Sequence, residues 1–200
     1  EYDNIKIEKL SNKGFAGFIF ISSEKVKINK QLVLVNNIRK PEVIKTGDVI
    51  RLKKDSSLVS VLFRRGANSN TLFVTEQCNS FCLMCSQPPR KINDEWRILE
   101  LHKLISLIDD NEEVLGMTGG EPTLLGTKLF NLINDCKSHL PNTGLHILTN
   151  GRKFQDEDFA NQALLVNHHD LFWGIPLYSD NSSIHDHVVQ AKNAFNETVA

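Results

Sequence analysis

Short apolar segments alternate with helical segments over residues 71–200, and this alternation limits the fold more than any other feature. The predicted strands cover Leu72–Thr75, Val114–Met117, Leu145–Leu148 and Leu171–Leu177. The predicted helices carry apolar residues every three or four positions and cover Asp94–Asp109, Thr127–Leu140, Asp156–Val166 and Ser183–Ala200. Such alternation indicates a parallel sheet of βαβ units. We therefore predict an α/β fold with four βα units.

Residues 1–70 have a different pattern, with short β-type runs separated by turn residues. The candidate strands are residues 18–21, 32–35, 49–52 and 58–63. A small antiparallel barrel or sandwich fits this pattern best. We predict a small β-rich N-terminal domain at 1–70, its role open, and a second domain at 71–200.

The overall composition excludes some functions. The chain has 200 residues, 40% of them hydrophobic, and a net charge of -1, which gives no electrostatic case for nucleic acid. No secretory signal or membrane-length apolar run is visible, so we expect a cytoplasmic location and no membrane partner. The chain begins at Glu1 rather than Met and stops inside a predicted helix, which indicates a fragment trimmed at both ends.

Three cysteines follow the first predicted strand of the second domain with the spacing Cys-x3-Cys-x2-Cys, at Cys78, Cys82 and Cys85. Three thiolates this close together are suited to three irons of a [4Fe–4S] cluster. No fourth cysteine lies on the loop, so one iron would keep an open position for chemistry.

Other interpretations of the cysteines remain open. Structural zinc needs four ligands, and the fourth cysteine, Cys136, lies in a predicted helix. Disulfides need an oxidising compartment. Unrelated reduced thiols are the third alternative, and we read Cys136 itself in that way.

Polar segments follow the other three strands, where parallel βα folds collect ligands. Gly119 and Gly120 would let the backbone approach a ligand closely, and Glu121 offers an acceptor for an ammonium group. A plain βα turn with an acidic helix start is the alternative. Thr149 and Asn150 follow the third strand. The seven histidines are expected at the surface or at satisfied helix ends, and none is assigned a metal.

These segments together resemble the radical S-adenosylmethionine (radical SAM) superfamily over residues 71–200. The resemblance is to its cysteine triad, its Gly-Gly-Glu motif and its strand-three turn. Residues 75–80, 82–89 and 184–191, with Leu125-Gly126, are similar to the C-type radical SAM maturases of His-Xaa-Ser repeat peptide systems.

The resemblance implies a partial (β/α)6 TIM-like barrel, a [4Fe–4S] cluster on the three cysteines, and S-adenosylmethionine as cofactor. In that family the Gly-Gly-Glu motif binds the methionyl amino group, and the segment equivalent to Thr149 and Asn150 lines the cofactor pocket. Met84 stands where an aromatic residue often packs near the adenine. Pro176 stands where the fourth strand often presents a serine, which leaves Tyr178 and Ser179 as the nearest hydroxyls.

The activity implied is reductive cleavage of S-adenosylmethionine and hydrogen abstraction from a ribosomally made peptide. The implied partners are a precursor peptide, an electron donor of flavodoxin or ferredoxin type, and a companion maturase. Two alternatives remain: a radical SAM enzyme acting on a small molecule or RNA, and a non-enzymatic iron–sulfur or zinc interaction protein.

Overall fold

The computed structural model describes residues 9–13, 17–19, 33–35, 38, 40–53 and 58–200. The chain divides into two compact units, Glu1–Lys45 and Thr46–Ala200. In the first unit, β1 (Gly17–Ile19) and β2 (Val33–Val35) pair in parallel. The prediction of antiparallel pairing is wrong for these two strands. Parallel strands cannot be joined by a tight two-residue hairpin turn, and β1 and β2 are well separated in the chain. Residues 20, 21 and 32 of the predicted strands lie outside the described residues.

The second unit begins with an antiparallel hairpin of β3 (Val49–Leu52) and β4 (Val59–Phe63). Phe63 is 1% exposed and belongs to the same apolar core as the sheet that follows. The hairpin therefore packs with the sheet, and the division into compact units falls before it rather than at residue 70. The assignment of a separate role to residues 1–70 stays a prediction.

The main sheet has four parallel strands in the order β5-β6-β7-β8. They are β5 (Asn70–Phe73), β6 (Val114–Thr118), β7 (Gly144–Leu148) and β8 (Leu171–Gly174). The helices between them are α1 (Trp96–Ile105), α2 (Thr127–His139) and α3 (Glu157–Leu165). The predicted α/β fold with a parallel sheet of βα units is confirmed.

One face of the sheet is covered by helices and the other is open. Leu115, Met117, Leu145 and Ile147 are completely buried against the helices. Residues at alternate strand positions point the opposite way, as the two-residue period of a strand requires. On β7 and β8, Leu148 and Phe172 lie on that second face and are each 56% exposed. Right-handed crossovers between successive neighbouring strands place the three connecting helices, α1, α2 and α3, on one face, so these helices leave the other face free for a ligand.

The last predicted helix, Ser183–Ala200, is two helices, α4 (Ser182–Val189) and α5 (Ala194–Val199). Gln190 and Asn193 interrupt it with left-handed φ values of 52° and 63°. The carboxylate of Asp186 accepts the N–H of Asn193 at 2.7 Å and the N–H of Phe195 at 2.8 Å, which stabilises the start of α5. The N-cap of α4 is Asn181, whose side chain accepts the N–H groups of Ser183 and Ile184. None of the described helices is long and apolar enough to cross a membrane.

Candidate active site

The clustered cysteines lie on an irregular segment after β5, residues 75–85, which we call the cysteine loop. The N–H of Phe81 donates to the carbonyl of Val189 at 3.0 Å. The N–H of Leu83 donates to the carbonyl of Val188, also at 3.0 Å. The end of α4 therefore holds the middle of the cysteine loop through main-chain hydrogen bonds.

The three predicted ligands Cys78, Cys82 and Cys85 line one cleft of about 590 Å³ on the open side of the sheet. All three are free thiols, two partly buried and Cys85 exposed. Burial raises the pKa of Cys78, a hydrogen bond from the Ser80 N–H lowers it, and the charge of Glu121 raises it further. Burial also raises the pKa of Cys82. Both thiols therefore resist ionisation unless a cation stabilises the thiolate.

The cleft brings the cysteines together without closing them into a metal site. In the part of the chain that the structure describes, no group of three or more His, Cys, Asp or Glu side chains is arranged to hold a metal ion. The donor type fits an iron–sulfur cluster, because clusters are held by cysteine thiolates distributed over several irons. A structural zinc ion takes four ligands in one tetrahedral shell, and three cysteines line the cleft.

Glu121 lies directly after β6 with 1% of its surface exposed, and it lines the same cleft. Its Oε1 accepts the N–H of Thr123 at 2.9 Å and the Thr123 hydroxyl at 2.7 Å. The Thr149 hydroxyl also donates to Oε1, at 2.5 Å. Oε2 accepts the N–H of Asn150 at 2.7 Å. Four donors thus fix the carboxylate at the ends of β6 and β7.

No Lys, Arg or His in the described ranges forms an ion pair with Glu121. A buried carboxylate without a cation is costly, and hydrogen bonds offset only part of that cost. Oε2 has one donor and keeps one acceptor site. The cleft therefore offers a fixed negative charge that suits a ligand ammonium group.

The two glycines let main-chain segments of the protein pass close to each other, and their approach to a ligand stays a prediction. A Cβ on Gly119 would lie 2.4 Å from the carbonyl oxygen of Thr75, and one on Gly120 would lie 2.1 Å from that of Gln77. The N–H of Gly120 donates to the Thr75 carbonyl, and that of Glu121 to the Gln77 carbonyl, both at 2.7 Å. The glycines are needed because the cysteine loop passes so close. Only Gly120 of the two lines the cleft.

Thr149 and Asn150 line the cleft as predicted, and their polar groups meet protein partners. The Thr149 hydroxyl is directed at Glu121, and the Asn150 side-chain amide donates to Oδ1 of Asn79 at 2.6 Å. These two residues therefore hold Glu121 and the cysteine loop in place. Whether they contact a cofactor as well stays a prediction.

Met84 and Ser179 are not brought to the cleft wall. Met84 is 55% exposed. The Ser179 hydroxyl accepts the N–H of Asn181 at 3.0 Å in the turn before α4. β8 ends at Gly174 rather than Leu177, so Ser179 lies outside the strand, in the segment before α4. Tyr178, the other hydroxyl considered there, does line the cleft.

Arg152 and His185 are among the cleft residues to which no role was assigned from the sequence. Arg152 directly follows the turn after β7. This position at the carboxyl end of a strand is the sequence feature that could have identified it as a cleft residue. His185 is 2% exposed rather than at the surface, and its Nδ1 accepts the N–H of Tyr178 at 3.3 Å. Its ring centroid lies 5.8 Å from that of Phe195. The break between α4 and α5 buries His185, and no sequence pattern indicated this break.

Comparisons with known proteins add little to this geometry. No protein-family model matches the chain. No curated protein matches it either. Among solved structures, the chain is similar to the crystal structure of BtrN in complex with AdoMet and 2-DOIA, with 24% identity and a TM-score of 0.38. That match covers 50% of this chain and 42% of the BtrN chain.

Proposed function

We propose that the protein is a radical SAM enzyme that holds a [4Fe–4S] cluster on Cys78, Cys82 and Cys85 and binds S-adenosylmethionine beside it. One observation carries the proposal: the cleft joins three thiols to a buried carboxylate that has no cationic partner among the described residues. Thiols suit iron, and a buried carboxylate suits an ammonium group. S-adenosylmethionine carries such a group next to a sulfonium.

The residues of the chain would bind and orient. Glu121 would accept the ligand ammonium at Oε2, while Thr149 and Asn150 keep the carboxylate from turning. Apolar side chains in the cleft wall, including Phe172 and Ile175, would give the adenine ring a surface to pack on. They would also limit the access of water to the reacting atoms. When bound, the cluster and cofactor supply one-electron cleavage of the sulfonium and hydrogen abstraction from the substrate.

The finer parts of the proposal come from the sequence resemblance. The substrate is a ribosomally made His-Xaa-Ser repeat peptide, and the partners are a flavodoxin- or ferredoxin-type electron donor and a companion maturase in the cytoplasm. The fold is a partial (β/α)6 barrel, of which β5 to β8 form consecutive members. The similarity of residues 75–80, 82–89 and 184–191, with Leu125-Gly126, to the C-type maturases supports these points.

The test is anaerobic reconstitution with iron and sulfide, followed by reduction and addition of S-adenosylmethionine. We expect about four irons per protein, a change in the EPR signal of the reduced cluster on adding S-adenosylmethionine, and release of 5′-deoxyadenosine. A bound cluster whose spectrum ignores saturating S-adenosylmethionine would contradict the enzyme proposal and favour an interaction protein. Mass spectrometry of a His-Xaa-Ser precursor after incubation would test the peptide substrate.

A further inference from the structure

Arg152 connects the last helix to the cysteine loop. Its side chain is 13% exposed, and its Nε pairs with Oε2 of Glu197 on α5 at 2.5 Å. Its Nη1 donates to the carbonyl oxygen of Asn79 at 2.6 Å and to the hydroxyl of Ser80 at 3.2 Å. One guanidinium therefore bridges two segments that lie far apart in the sequence.

The two residues that Arg152 holds, Asn79 and Ser80, directly follow the predicted cluster ligand Cys78. Asn79 is bonded directly to Cys78 in the chain, so a shift of Asn79 moves the Cys78 main chain with it. Ser80 is 2% exposed, so it has little room to adopt another position. The positions of Asn79 and Ser80 therefore help to set where the Cys78 side chain lies in the cleft. The surroundings of metal ligands orient them and tune the site.

Hydrogen bonds made by Asn150 also hold Asn79 against the turn after β7. The Asn150 side chain donates to Oδ1 of Asn79 at 2.6 Å. The carbonyl of Asn150 accepts the hydroxyl of Thr198 at 3.1 Å, which ties α5 to the turn that carries Arg152. The ion pair with Glu197 fixes the Arg152 guanidinium between α5 and the cysteine loop. Because the pair is largely shielded from water, it resists salt screening better than surface pairs do.

We propose that Arg152 is a positioning residue: it fixes Asn79 and Ser80 so that Cys78 is presented to the cleft, and Glu197 orients its guanidinium. This inference rests on the proposed function only in taking Cys78 as a cluster ligand. The contacts join only groups of the protein itself. The role can therefore be tested without iron.

The test is hydrogen–deuterium exchange of peptides spanning residues 76–85 in the cluster-free protein. Arg152→Met should exchange about tenfold faster there, because loss of charge-assisted hydrogen bonds lowers the local opening free energy. Arg152→Lys keeps the charge and one donor, so it should restore part of the protection. Arg51→Met is the matched control, since Arg51 also pairs with a glutamate, Glu100, away from the loop. It should leave exchange over 76–85 unchanged.

A second measurement, the iron content after reconstitution, tests whether the position of the cysteine loop affects iron binding. After reconstitution, Arg152→Met should hold less iron than the wild type, and Arg152→Lys should hold an intermediate amount. If Arg152→Met does not fold, Glu197→Gln replaces it and should show a smaller rise in exchange over the same peptides.

The outcomes separate this proposal from the proposed function. Unchanged exchange over 76–85 in the folded variants overturns the positioning role, whether or not the wild type binds a cluster. Faster exchange together with a wild type that takes up no iron leaves the positioning of Cys78 standing and removes the proposed function. Equal exchange increases in Arg51→Met and Arg152→Met would show general loosening and overturn the specific role.

Discussion

The hydroxyl of Thr149 donates a hydrogen bond to Oε1 of Glu121 at 2.5 Å and so joins the turns after β6 and β7. The two residues are 28 positions apart in the chain, and the parallel pairing of their strands brings them together. The carboxylate is held by a rigid sheet end before any ligand arrives. Preorganisation of this kind favours binding because little ordering remains to be done.

Changing Glu121 to Gln should affect both ligand binding and stability. The side-chain oxygen can keep the donors at Oε1, but the amide NH2 then faces the N–H of Asn150 and leaves a buried donor unpaired. We expect a loss of about 1–3 kcal/mol in unfolding free energy. S-adenosylmethionine affinity should fall about 10- to 150-fold as the charge disappears. Urea denaturation and ligand titration of the reconstituted protein measure the two effects.

Glu95→Gln is the control for that substitution, because Glu95 is an exposed partner of Lys128. Its effect on stability should stay below about 1 kcal/mol, as for other surface pairs. Equal S-adenosylmethionine affinities for the wild type and Glu121→Gln would mean that the Gly-Gly-Glu segment is only a turn.

Alanine replacements of the cysteines should separate ligands from core residues. Cys78→Ala, Cys82→Ala and Cys85→Ala should each abolish cluster assembly, because each removes a thiolate that no neighbour replaces. Cys136→Ala should keep the cluster, since Cys136 is fully buried on the core-facing side of α2. Its expected cost is about 1 kcal/mol of stability. Iron and sulfide content per protein, with circular dichroism for folding, measures the difference.

Burial also raises the pKa of Cys136 to about 12, so this thiol stays protonated and is a poor metal ligand at neutral pH. Loss of iron in a folded Cys136→Ala protein would point to a four-cysteine site instead. Full iron content in any of the three loop variants would remove that cysteine from the ligand set.

The sequence predicted the main features of the site because they follow from one rule. The carboxyl ends of parallel strands meet at one edge, so Cys78, Glu121 and Thr149 had to lie near one another once their strands were recognised. The apolar stripes of the helices were equally readable. Leu101, Leu104 and Ile105 are all buried, as a 3.6-residue period predicts.

What the sequence did not predict depends on contacts over long separations. Arg152 meets Asn79 across 73 positions, and no local pattern encodes that pairing. The break between α4 and α5 depends on the Asp186 carboxylate accepting the N–H groups of the left-handed Asn193 and of Phe195. A pattern of apolar residues does not indicate such contacts. Turn chemistry thus overrode the helical pattern in that segment.

Asp94 should make the protein sensitive to acid. Burial alone would raise its pKa, but the N–H of Glu76, the side chains of Gln77 and Thr75, and the charge of Arg97 outweigh burial and lower it. A lowered pKa contributes stability above the unfolded value of about 4 and loses it as pH falls through the folded value. The difference in unfolding free energy between wild type and Asp94→Asn should therefore shrink below about pH 4.

Urea denaturation at several pH values between neutral and strongly acidic measures this difference. Asp158→Asn serves as the control because Asp158 is exposed at the start of α3. Its difference from the wild type should stay small throughout. A gap for Asp94→Asn that stays constant through the acidic range would show that the Asp94 charge does not stabilise the cysteine loop.

Gly120→Ala should disrupt the contact between the cysteine loop and the turn after β6. The added Cβ would lie 2.1 Å from the carbonyl oxygen of Gln77, which is backbone and cannot rotate away. The two segments must separate, which weakens the hydrogen bonds to Thr75 and Gln77 and moves Glu121 relative to the cysteines. We expect a loss of about 1–3 kcal/mol or more in unfolding free energy and reduced iron uptake.

Gly66→Ala is the matched control, because Gly66 has a φ of +71° but nothing within 4 Å of the added Cβ. It should cost about 1 kcal/mol and leave iron uptake intact; equal iron uptake by the two variants would contradict a requirement for close approach at Gly120.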